Sequence, residues 1–110
     1  MNNIISYSYS YSVIWSDDDK EYVGLCAEFP GLSWLAGTQE EALHGIREVV
    51  ADVIVDMKAN NEAVPEPLAT KHYSGNLSIR IPKDLHRNIA IQAAEANVSI
   101  NRLISYKLSV

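Results

Sequence analysis

Asn76, Ser78 and Arg80 alternate with Leu77, Ile79 and Ile81 in the segment NLSIRI. A period of two sends alternate side chains to opposite faces of a strand. The apolar set must face a core, which leaves asparagine, serine and arginine outward. These are base-reading groups for a DNA major groove: Arg donates two hydrogen bonds to guanine, Asn pairs with adenine and Ser serves either. The plain alternative is an edge strand with Arg80 as a surface charge. Downstream, Ser99 is placed to cap a helix whose free first-turn amides form an anion site. Ser99, Ile100, Asn101 and Arg102, with Lys83 on the preceding helix, are therefore candidate phosphate-positioning residues.

The second group with chemical potential is acidic. Asp17, Asp18 and Asp19 sit on an expected turn, Glu28 ends an expected strand, and Asp52 and Asp56 lie one helical turn apart. Convergent carboxylates can hold two metal ions about 4 Å apart for phosphodiester hydrolysis. Nothing in the spacing brings these three groups together, so neither a catalytic nor a metal site is expected. His44, His72 and His86 form no metal motif, and the single cysteine, Cys26, has no histidine at a catalytic spacing. There is no glycine-rich phosphate loop, and no cofactor is expected.

These residues need elements to hold them. After the expected strand Asn76–Ile81, Pro82 suits the start of a helix over about 83–96. Leu85, Ile89 and Ala93 form its inner stripe, with Ala90 and Ala94 permitting close packing and Asn97 suited to a left-handed exit. A second helix carries Ile100, Leu103, Ile104 and Leu108. One strand and two short helices are too little to fold alone. They make sense as half of an intertwined homodimer, with tetramers or higher assemblies open.

Upstream, residues 4–15 alternate: Tyr7, Tyr9, Tyr11, Val13 and Trp15 share one parity and serines the other, until Ile14 breaks the pattern. This predicts a half-buried strand. Tyr22–Glu28 predicts a second strand in a hairpin and Leu32–Ala36 a short third. Thr38 and Glu41 form a capping-box pair before a helix with Leu43, Ile46, Val50, Val53 and Met57 inward, widened by Val49 and Ile54. Gly45 is placed to let that helix approach the sheet. Asn60 and Asn61 can stop it, and Pro65 and Pro67 impose an extended linker with room for one short extra strand. The expected fold is α+β: a small antiparallel sheet with a helix on one face over residues 1–74, then a strand–helix–helix module over 75–110.

The chain has 110 residues and a formal net charge of −5. Residues 1–74 hold four Lys/Arg against twelve Asp/Glu, a balance of −8, whereas residues 75–110 hold five against two, a balance of +3. Such asymmetry implies different partners for the two ends: phosphates for the basic end, a basic protein for the acidic one. With one cysteine, no signal-peptide pattern and no apolar run of membrane-spanning length, a cytoplasmic location without membrane association is expected.

Two stretches resemble one family. YSVIWSDDDKEYVGLCAEFPGLSWLAGTQEEAL is similar to the N-terminal domain of HicB-type antitoxins, through Tyr22, Glu28, Phe29, Pro30, Gly37, Thr38 and Glu41. GNLSIRIPKDLHRNIAIQAAEANVSINRLISYKL resembles their ribbon-helix-helix tail, through Arg80, Pro82, Leu85, His86, Ser99 and Asn101. Asn97 stands where a glycine is usual. The resemblance implies a partial ribonuclease-H-like N-terminal fold without activity, which blocks a HicA-type mRNA-cleaving toxin. It also implies a tail that dimerises and represses the operon by binding operator DNA. Glu28, Glu40, Glu48, Asp52 and Asp56 are the candidate toxin contacts. A nuclease retaining metal-dependent activity and a regulator or adaptor without a toxin partner are the alternatives.

Overall fold

The computed structural model describes residues 8–110. The chain divides into two compact units, the first ending at Tyr73 and the second running Ser74–Val110.

In the first unit, β1 (Tyr11–Ser16), β2 (Glu21–Cys26) and β3 (Ser33–Ala36) form an antiparallel sheet in the order β1-β2-β3. Ile14, Val23 and Leu35 fall in one row across it, and Val13, Gly24 and Trp34 in the next. The hairpin turn is tied by Ser16, whose Oγ donates to Asp19 at 2.8 Å, and by Lys20 in the left-handed region at φ 55°. Part of the strand expected from residue 4 lies outside the described residues. Ser8–Ser10 are not strand, which corrects the expectation of one strand over residues 4–15. Tyr9 turns into the core instead, edge-on to Phe29 with ring centroids 5.3 Å apart. Its hydroxyl donates to the Pro65 carbonyl at 2.6 Å, which satisfies the polar tip of a buried ring.

Helix α1 (Gln39–Ala59) covers one face of the sheet. Thr38 Oγ1 accepts the Glu41 amide at 3.1 Å and donates to the Glu41 carboxylate at 3.0 Å. The helix ends in a Schellman arrangement: Asn61 at φ 58°, its N–H on the Lys58 carbonyl and the Glu62 N–H on that of Met57. Ala42, Gly45, Ile46, Val50 and Ile54 are its buried positions, joined in the core by Tyr9, Cys26 and Phe29. Leu43, expected inside, is exposed, and Ala42 takes the inner place because the helix backbone lies directly on Gly24 of β2. A Cβ at Gly24 would collide with the Ala42 carbonyl oxygen.

The segment expected to be a free linker is partly built into this unit. Pro67 is buried, Val64 packs against the core, and no strand forms there.

In the second unit, α2 (Lys83–Glu95) follows Pro82, and α3 (Ile100–Leu108) follows Ser99. Asn97, at φ 57°, closes α2 with its N–H on the Ala94 carbonyl, while the Val98 N–H reaches that of Ala93. Residues 76–81 form no strand in the single chain. The expected pairing partner was a second chain, and a lone strand has nothing to satisfy its ladder.

Candidate functional site

Four of the candidate contact carboxylates lie together on α1. Glu40, Glu48, Asp52 and Asp56 are all exposed, and their spacing in multiples of four makes a slowly winding acidic stripe. His44 continues it, its Nε2 2.9 Å from Glu48 Oε1. Beside the stripe, Trp34 of β3 lies across Gly45, and these two with Glu40, Glu41, His44 and Glu48 line a shallow cleft of about 370 Å³.

Glu28 does not join them. Its Oε1 accepts the Ser10 amide at 2.9 Å, and its Oε2 accepts the Leu68 amide at 2.9 Å and the Ser10 hydroxyl at 3.2 Å. The Cys26 thiol also points at Oε1, at 3.5 Å. Burial works to raise the Glu28 pKa, but the amides of Leu68, Ser10 and Glu28 itself favour the carboxylate and hold it below its ordinary value. Burial, with the Glu28 charge beside it, pushes the Cys26 thiol upward. Both oxygens of Glu28 thus clasp the chain before β1 to the segment after α1. Sequence reasoning missed this role, for which the only signal was an acidic residue between a strand end and a proline.

The remaining carboxylates stay apart. Asp17 pairs with Lys20 at 2.9 Å on the hairpin turn, and Asp19 serves Ser16. Among the described residues, no three or more His, Cys, Asp or Glu side chains are grouped to hold a metal ion. No helix of the described residues is long and apolar enough to cross a membrane.

In the second unit, Asn76, Ser78 and Arg80 are exposed, and so are Leu77 at 78% and Ile79 at 60%. Ile79, Ile81, Ile89, Ile100 and Ile104 line an open groove of about 270 Å³. Ala93 is the one buried residue of this unit. Ser99 Oγ accepts the Arg102 amide at 3.0 Å, so that amide is used internally. The Ile100 and Asn101 amides stand ahead of it at the exposed helix start, with the Arg102 side chain one step on.

Residues 59–108 match the model of the HicB family. The match is consistent with an antitoxin-type domain of a toxin–antitoxin system, and it spans the end of α1, the clasped segment and both tail helices. The N-terminal stretch that resembles the same family lies outside the match. No curated protein and no solved structure matches the chain.

Proposed function

We propose that the chain is a HicB-type antitoxin without catalytic activity of its own. Its first unit binds and neutralises a small basic HicA-type mRNA-cleaving toxin. Its second unit pairs residues 76–81 with those of another copy, forming a ribbon-helix-helix dimer that represses the operon. The observation that carries this reading is the tail: a HicB-matching unit with one buried residue and an apolar groove open beside an unpaired segment. Such a unit is too small to enclose a core by itself, which supports its pairing with a second copy.

Pairing two copies antiparallel buries Leu77, Ile79 and Ile81 and presents two sets of Asn76, Ser78 and Arg80. A two-fold reader of this kind matches a palindromic operator. The amides of Ile100 and Asn101, with Ser99, Arg102 and Lys83 nearby, position phosphates without reading sequence. On the first unit, Glu40, Glu48, Asp52 and Asp56 steer the basic toxin inward. Glu28 is spent on the internal clasp and is not part of this surface.

Binding of the full chain to DNA from upstream of its own gene tests the tail. Arg80→Ala is expected to lose roughly 5- to 100-fold at fixed salt, from one lost bidentate base contact. Wild-type affinity should also fall steeply with salt as counterions are released. An unchanged affinity in Arg80→Ala leaves dimerisation as the sole role of residues 76–81. This reading expects a short basic reading frame beside the gene, whose product is the toxin for the complementary test.

A further inference from the structure

In the first unit the break in the serine parity at Ile14 has a structural meaning. Helix α1 lies against Gly24, so residues of Gly24's parity face the helix and their neighbours face away. On the far face, Ile14, Val23 and Leu35 form a row across all three strands, with Leu25 beside Val23's position in the next row. Ile14 is 53% exposed and Leu35 44%, and none of the four belongs to the buried core. An antiparallel sheet with one face in water normally carries polar side chains there. This one has an apolar centre between Ser12 and Ser33 in one flanking row and Ser16 and Glu21 in the other.

We propose that the apolar row Ile14–Val23–Leu35, bordered by the acidic hairpin at Asp17–Asp19, is the docking face for the basic protein partner. This rests on the antitoxin reading above and adds the surface to it. An apolar centre with a polar and charged rim is how stable protein interfaces are built, the centre supplying most of the affinity and the rim the steering. On the opposite layer the acidic stripe of α1 has Trp34 beside it, but the exposed apolar side chains of the helix itself, Leu43 and Val55, stand more than three turns apart and form no continuous row. Charge selects the occupant. The −8 balance of residues 1–74 repels a second copy of this unit and attracts a basic protein.

The test is calorimetric titration of the full chain with the purified product of the short basic reading frame that the antitoxin reading expects beside its gene. Ile14→Asp and Leu35→Asp are each expected to weaken binding by roughly 30-fold or more, as at the centre of an interface. Both sites are exposed, so the far-UV circular dichroism of the variants should match wild type. Val23→Thr, nearly the same shape, guards against a folding artefact and should still give a measurable loss. Asp52→Lys, on the other layer, should mainly slow association in a salt-dependent way. Wild-type binding with both aspartate variants within about threefold of it overturns the docking face and leaves the antitoxin reading intact. Aspartate variants that reduce the assembly size of the full chain without weakening the partner assign the face to a second copy, and also overturn it. Failure of the wild-type chain to bind that protein at all overturns both readings.

Discussion

Glu28 is where residue type and residue role part most clearly. As an acidic residue in an acidic region it reads as surface charge. Its position between the Ser10 and Leu68 amides makes it a structural acceptor joining a segment 18 residues before it to one 40 residues after it. No local pattern encodes a contact of that range. A carboxylate held by amides contributes to stability through its lowered pKa, and the sign follows from linkage. The contribution is complete above the ordinary value of 4.5 and is lost as pH falls through the lower folded value. Glu28→Gln keeps the shape but loses the charge-assisted bonds. It should cost about 1–3 kcal/mol near neutral pH, the range for hydrogen bonds to a charged group. Thermal melts of both proteins from pH 7 to pH 3 check this: the gap in melting temperature should close on the acid side. A gap independent of pH would show that the carboxylate charge is not what holds the clasp.

The elements themselves were largely legible. The Thr38 cap, the asparagine stops and the Ser99 cap each rest on local chemistry, and each is where that chemistry puts it. Strand alternation located the first unit's sheet but not the start of β1, since residues 8–10 are not strand. What local pattern could not give was which helix face turns inward, because that depends on a glycine in another element. Gly24 sits in a strand with no periodic signal of its own, yet it sets the approach of α1. Gly45 was legible as a close-approach site, although its neighbour, Trp34, was not.

The two glycines should respond differently to the same change. Gly24→Ala drives a methyl into the Ala42 carbonyl, a backbone group that can yield only by moving the helix. It should cost about 1–3 kcal/mol or more, as overpacking does. Gly45→Ala displaces only the half-exposed Trp34 ring and gains up to about 1 kcal/mol of helix propensity, so its net cost should be smaller. Urea denaturation of the two variants gives the order directly, and the reverse order would mean that α1 does not rest on Gly24. At the other helix stop, Asn97→Ala at φ 57° should cost about 1–2 kcal/mol by left-handed strain. Asn97→Gly should be neutral or stabilising.

For the whole molecule, the two units differ in how complete they are. The first has a buried core of its own, built on Ile46 and Val50, both fully buried. The second buries Ala93 and leaves Leu77, Ile79, Leu85 and Leu108 in water. Sequence reasoning foresaw this imbalance from length alone: one strand and two short helices cannot enclose a core. On the proposed pairing the strand would form only between two chains, and residues 76–81 of a single chain accordingly form none. If the tail completes itself by pairing, its stability is inseparable from protein concentration. The melting temperature of the tail transition should then rise as the full chain is concentrated, while the transition of the first unit stays fixed. Ile79→Asp places a charge in the paired apolar face and should abolish the concentration dependence. Operator binding should go with it, since one copy of Asn76, Ser78 and Arg80 loses the two-fold match to DNA. Sedimentation equilibrium across a hundredfold concentration range separates the outcomes. A wild-type chain that stays monomeric throughout, with a tail transition independent of concentration, would contradict pairing. A dimer that survives Ile79→Asp would move the interface away from residues 76–81.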